Sequence, residues 1–228
     1  MRKAICLLFV FSFAVSNISP ETVEEPEPLD WYLSLAEKYL SEWKAYEAIE
    51  VFEIAMMHYP EDTRPYIRLG DIYYNLNNFA LSLEYFNRAV ELDRNSLGAY
   101  VERAHLHKMF GNYEDALADH NMAIYLAPED DDLYRLRGMF FRDILGNFAL
   151  ALADFNRAIE LNMFSYNNFR QRGTLLAKLG HFEAALADLN QALTFNGEST
   201  VTLASRGSVF FIWADMPKHL RTLMLQYG

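Results

Sequence analysis

Apolar and polar positions along the chain follow the period of an amphipathic α-helix, and the pattern returns at a fixed interval. In GNFALALADFNRAIELN, residues 146–162, Ala151, Phe155 and Ala158 stand four and then three apart, so they share one stripe of a helix. Close copies are GNYEDALADHNMAIYLAP at 111–128 and GHFEAALADLNQALTFNG at 180–197; NNFALSLEYFNRAVELD at 77–93 is looser. A segment that recurs at constant spacing is one unit of an array in which neighbours cover each other's apolar faces. The interval predicts units of about 34 residues, each a first helix, a short turn, a second helix and a link.

The units are 29–62, 63–96, 97–130, 131–165 and 166–199, followed by a partial unit and C-terminal cap at 200–228. Gly111, Gly146 and Gly180 follow a first helix where left-handed backbone angles are needed, and Asn77 holds that place in the second unit. Trp43 holds it in the first, which predicts a different turn there. The fourth unit has one extra residue between Gly138 and Gly146, which predicts a bulged turn. Pro60 and Pro128 stop second helices.

Small residues recur where helices must approach closely. First helices carry Ala36, Gly70, Ala104, Gly138, Gly173 and Gly207. Second helices carry Ala48, Ser82, Ala116, Ala151 and Ala185, and then Ala55, Ala89, Ala123, Ala158 and Ala192. Large residues oppose them: Tyr39, Tyr73, Phe141, Leu176 and Phe210 on first helices, and Phe52, Phe86, Phe155 and Leu189 on second helices. This alternation lets helices interdigitate without voids. His107 and His120 stand at two of the large positions in the third unit.

A second set of residues repeats beside these. Arg103, Arg137, Arg172 and Arg206 precede the small residue of a first helix. Asp119, Asp154 and Asp188 precede the large residue of a second helix, and Asn87, Asn121, Asn156 and Asn190 follow it. Arginines and aspartates that recur together predict a ladder of structural ion pairs, which sets helix register more than it adds net stability.

These residues resemble the tetratricopeptide repeat family, with its large residue, Leu-Gly, Tyr, Ala, Phe, Ala and Pro at set offsets. The second unit shows Tyr66, Leu69-Gly70, Tyr73, Phe86 and Ala89; the first shows Tyr39, Ala48, Phe52, Ala55 and Pro60. The resemblance runs from Leu29 to Phe211 with five copies in register. It implies an all-α fold, a right-handed superhelical solenoid of antiparallel helix pairs. First helices would line a concave groove that takes an extended peptide or a partner helix.

The repeat register places Lys108, Arg135, Arg142, Arg170 and Lys178 in the middle of that groove, between an acidic first unit and an apolar last one. The expected ligand is an acidic or carboxylate-bearing peptide, held by arginines as forked donors. One subgroup of the family grips the C-terminal carboxylate of chaperones through lysines, asparagines and an arginine. The matching positions are Val101, His105, Leu136, Asn167 and Gln171 or, one unit on, Arg135, Met139, Gln171, Val201 and Ser205. Neither set fits, and that role is rejected.

The N-terminus is set apart from the repeats. Arg2 and Lys3 precede an apolar run from Ala4 to Val15, and Ala14 and Ser16 offer small residues before Asn17. This is the pattern of a secretory signal peptide over 1–16, too short for a comfortable membrane span. Residues 17–28, acidic and proline-bearing, read as a disordered leader. Cleavage would take Arg2, Lys3 and Cys6, the single cysteine, and make the formal charge of −11 more negative by two. No thiol would be left for a disulfide or a nucleophile. The expected location is the secretory pathway, the extracellular space or the periplasm, with no stable membrane span after cleavage. An uncleaved N-terminus would make the chain a cytosolic scaffold or co-chaperone.

Composition narrows the function further. Hydrophobic residues are 52% of the chain and aromatics 15%, which supports a packed core rather than disorder. The negative charge opposes a non-specific nucleic-acid role. The six histidines, His58, His105, His107, His120, His181 and His219, show no metal-ligand spacing. No phosphate-loop, dinucleotide or Gly-x-Ser-x-Gly pattern occurs. We therefore expect no cofactor, no metal and no enzyme, and a protein or peptide partner. Val209, Phe210, Phe211, Ile212, Trp213, Leu220, Leu223 and Met224 make the C-terminal end apolar where a solenoid needs a polar cap. Asp215-Met216-Pro217 breaks the helix there. An irregular cap or a self-association surface follows, and a structural assembly subunit is the rival reading.

Overall fold

The computed structural model describes residues 26–217, and these form helices without a strand. The helices are α1 (Leu29–Ser41), α2 (Ala45–His58), α3 (Thr63–Asn75), α4 (Phe79–Leu92), α5 (Leu97–Met109) and α6 (Tyr113–Leu126). They continue as α7 (Asp131–Asp143), α8 (Phe148–Leu161), α9 (Tyr166–Lys178), α10 (Phe182–Phe195) and α11 (Thr200–Asp215). The expected signal peptide, most of the leader, and Leu220, Leu223 and Met224 lie outside the described residues. The chain divides into two compact units, one ending at Pro60 and one beginning at Glu61.

The first unit is the α1–α2 hairpin. Ala36, Ala48, Phe52 and Ala55 are fully buried in it. The Tyr32 ring stacks on His58 at 5.8 Å, and the Tyr59 hydroxyl donates to the Glu27 carbonyl at 2.9 Å.

The turn of this hairpin corrects the sequence expectation. Trp43 takes a left-handed φ of +63°, beside +59° for Asn77 and +78° for Gly111. The Lys44 N–H donates to the Tyr39 carbonyl at 2.9 Å, as the Asn78 N–H does to Tyr73 at 2.8 Å. The turn is therefore the common one, with a tryptophan in the glycine position. The tryptophan is 96% exposed, so no packing compensates the steric cost of that conformation. Trp43→Gly should raise the stability of this hairpin by about 1 kcal/mol, measured by thermal or urea unfolding.

The second compact unit (hereafter the second unit, distinct from the sequence repeat 63–96) holds α3 to α11. Helix pairs α3–α4, α5–α6, α7–α8 and α9–α10 pack internally, and each second helix also packs on the next first helix. This is the all-α helical repeat solenoid that the periodicity predicts. The small residues permit its closest approaches. A Cβ on Gly70 would lie 2.7 Å from Phe86, and one on Gly138 would lie 2.7 Å from Phe155. The extra residue of the fourth unit leaves α7 at 13 residues, the length of α5 and α9, and bulges the turn instead. There the Asn147 N–H reaches the Phe141 carbonyl at 2.9 Å, one residue further back than in the other turns.

The predicted ion-pair ladder is present, and each rung has a third member. Arg103 donates through Nε and Nη2 to Asp119 at 2.8 and 2.6 Å, and through Nη1 to Asn87 Oδ1 at 3.2 Å. Arg137 does the same with Asp154 at 2.9 and 2.8 Å and Asn121 at 2.7 Å. Arg172 follows with Asp188 at 2.7 and 2.8 Å and Asn156 at 2.8 Å. Each arginine thus ties a first helix to the second helices on both sides of it. Arg206 keeps the asparagine contact, to Asn190 at 3.3 Å, but finds no carboxylate among the described residues.

At the far end, Val209 is buried and Trp213 tilts against Phe182 at 5.6 Å. Phe210, Phe211 and Ile212 stay 61%, 73% and 52% exposed. No described helix is long and apolar enough to cross a membrane.

Candidate functional site

The five basic residues singled out in the sequence lie on α5, α7 and α9, three first helices of the second unit. Each meets different company. Arg135 forks onto Asp132 Oδ1 of its own helix at 3.0 and 2.6 Å and touches the Met139 sulfur at 3.8 Å. Arg142 pairs its fork with Asp143 at 2.7 and 2.8 Å. Its third nitrogen reaches across to Gln171 Oε1 of α9 at 2.8 Å. Lys178 stands 4.8 Å from the centre of the Phe148 ring, a cation–π contact. Lys108 lies 3.5 Å from Nδ1 of His105.

Arg170 differs from the other two arginines. Its side chain is half-buried and donates to Asn167 Oδ1 at 3.1 Å, and no carboxylate pairs with it among the described residues. Burial weakens its hold on its proton, and the charges of Arg135 and Arg142 weaken it further. Asp143 shows the converse. Hydrogen bonds from Arg142 lower its pKa, helped by the charges of Arg142, Lys178 and Lys108. Arg170 and Asp143 therefore link all five cations into one electrostatic neighbourhood, where Asp132 and Asp143 answer only part of the positive charge.

Beside this cluster, α5, α6 and α7 enclose a pocket of about 320 Å3. Val101, Leu136, Met139, Phe140 and Ile144 form its apolar wall, with His105, Lys108, His120, Glu102 and Asp143 among them. His105 Nε2 is 3.1 Å from the Tyr74 hydroxyl. Lys108 has only protons to offer, so Nδ1 of His105 accepts and Nε2 donates. Burial lowers the pKa of His105, and Lys108 adds to the effect. His120 is pushed down to about 4, first by burial and then by the charges of Lys108, Arg137 and His105. Burial raises Glu102, with Asp71 adding to the shift. Both imidazoles are therefore neutral near pH 7.

Sequence reasoning overlooked the His120 side of this pocket and the role of Gln171. The signal for His120 was the break in the large-residue pattern. Gln171 carries no repeat signal, because its role depends on where the Arg142 fork points.

The tetratricopeptide repeat pattern matches this chain at residues 64–96, on α3 and α4, and again at 171–198, on α9 and α10. The chain is a tetratricopeptide repeat protein. Such repeats generally serve as non-catalytic scaffolds for protein interaction. The NADPH oxidase activator of Dictyostelium discoideum is 36% identical over 75 residues. That stretch is 33% of this chain and 11% of that protein. Solved structures align more widely at lower identity. Pseudomonas aeruginosa pilF has a TM-score of 0.70 at 17% identity, covering 82% of this chain and 85% of that one. A tetratricopeptide repeat protein from Parabacteroides merdae also reaches 0.70 at 19% identity, covering 82% and 73%. YrrB, characterised as a TPR protein with an unusual peptide-binding site, reaches 0.59 at 24% identity, covering 77% and 90%. These likenesses establish the fold.

Proposed function

We propose that this chain is a non-catalytic adaptor whose α5–α7–α9 face binds an acidic or carboxylate-bearing peptide segment. The observation that carries this is Arg170, half-buried beside Arg135 and Arg142 with no carboxylate of its own among the described residues. A carboxylate brought by a partner would relieve that repulsion and gain a charge-assisted hydrogen bond. Lys108 and Lys178 widen the positive field around it. The peptide-binding site reported for YrrB makes a peptide ligand reasonable on this fold. The secretory or periplasmic setting rests on residues 1–16 alone.

Arg170→Glu should weaken binding of an acidic peptide by about tenfold or more, read by fluorescence polarisation, with the helical circular dichroism retained. Unchanged affinity would falsify the proposed face. Arg135→Glu should have a smaller effect, because Asp132 already occupies that fork.

The exposed Phe210, Phe211 and Ile212 and the incomplete rung at Arg206 favour a second reading, self-association through α11. Sedimentation across a concentration series separates the two, since an adaptor that acts as a monomer keeps one mass throughout.

A further inference from the structure

We infer that the pocket between α5, α6 and α7 is an anchor site for one aromatic side chain, tyrosine by preference, of the bound segment. The acidic character of that segment rests on the proposed function; the pocket does not. In the other repeats of the second unit, Phe86, Phe155 and Leu189 fill the position of His120, and all three are buried. Those residues close the space between a second helix and its own first helix. The imidazole at 120 is polar, and space remains at its edge. The array thus has a pocket at the repeat where the large apolar residue is replaced.

The dimensions and the chemistry agree on the occupant. A volume of about 320 Å3 is at the bottom of the range of roughly 300–1,000 Å3 that engulfs a whole small molecule. It suits one side chain on a chain lying outside. Val101, Leu136, Met139 and Ile144 offer an apolar wall, and the Met139 thioether favours an aromatic edge. His120 lies tilted against Phe140 at 5.4 Å, which continues the aromatic surface. A phenol hydroxyl supplies what an alkyl chain lacks, a hydrogen bond to the neutral imidazole of His120. Lys108 is in the pocket lining and belongs to the cationic neighbourhood, so acids flanking the aromatic residue would meet its charge on the side away from the lining carboxylates Glu102 and Asp143.

The test uses two labelled peptides, Glu-Glu-Asp-Tyr-Glu-Asp-Glu and its Tyr-to-Ala counterpart, together with N-acetyl-tyrosinamide as an uncharged probe. The protein is the whole chain, as wild type, His120→Phe and Val101→Phe. His120→Phe restores the usual repeat residue, and Ala36 with Phe52 shows that an alanine at the small position tolerates it. Val101→Phe blocks the pocket from the partly exposed face should the buried change disturb folding. The tyrosine peptide should bind about tenfold or more tighter than the alanine peptide, and the ratio should fall towards one in both variants. N-acetyl-tyrosinamide should shift the His120 ring signals in NMR of the wild type and leave them unmoved in Val101→Phe. Equal affinity of the two peptides with unmoved His120 signals overturns the pocket, and leaves the acidic face standing if Arg170→Glu releases both. If neither peptide binds but the uncharged probe still shifts His120 in the wild type alone, the acidic face fails and the pocket stands.

Discussion

Arg137→Met should cost about 3–5 kcal/mol of stability. The change removes the partner of Asp154, whose side chain is only 8% exposed, and leaves an ionised carboxylate in a dry helix interface. It also strips Asn121 of its donor and removes the polar ties from α7 to the second helices on either side. The double variant Arg137→Met with Asp154→Leu should recover most of the loss, since two apolar groups of similar shape can replace a buried pair at little cost. That recovery would mean that the pair sets register rather than adding net stability. Urea unfolding of wild type, both single variants and the double gives the coupling energy directly. Unfolding of a repeat array can lose its all-or-none character, so probes in α5–α6 and α9–α10 should be followed separately. If Arg137→Met alone costs less than the surface-pair range of about 1 kcal/mol, the ladder is ornamental.

Acid should destabilise the second unit by roughly 3 kcal/mol through His120 alone. The folded pKa of this group is held at about 4, against the usual 6.5 of an unburied histidine. Between those values the unfolded chain takes up a proton and the folded chain does not. Stability is therefore full above pH 6.5 and falls as pH drops towards 4. It falls no further below 4, where both states are protonated. The cause is burial against Phe140 and the nearby Lys108, Arg137 and His105, which all oppose a second positive charge. His120→Phe should remove this slope, and the difference in unfolding free energy between the two proteins across pH 7 to 4 isolates it from the carboxylates. Parallel curves would show that the ring is solvated.

Most of the fold was legible because a solenoid helix touches chiefly its neighbours in the chain. Contacts between residues one repeat apart become periodic letters. The left-handed places at Asn77, Gly111, Gly146 and Gly180 and the bulge before Gly146 could be read for that reason. So could the close approaches at Gly70 and Gly138 and the pairing of Arg103, Arg137 and Arg172 with their aspartates. The turn at Trp43 was misread because side-chain preference was taken to decide it. The hydrogen bonds of the hairpin outweigh the steric cost of one tryptophan.

Less of the site could be read. Register alone determined that Lys108, Arg135, Arg142, Arg170 and Lys178 fall on first helices of adjacent units. It could not say which are already engaged, because that depends on rotamers and on separations of a few ångströms across α7 and α9. Asp132 answers Arg135, Asp143 and Gln171 answer Arg142, and among the described residues Arg170 is left beside them without a carboxylate. The sequence also marked His120 only as a break in a pattern. Three helices had to meet before that break became a pocket with a neutral imidazole in its wall. Amino-acid periodicity determines which surfaces pack, since burial of apolar area depends on spacing. Tertiary structure alone decides charge state and cavity, since both depend on how much water and which charges surround a group once the helices have met.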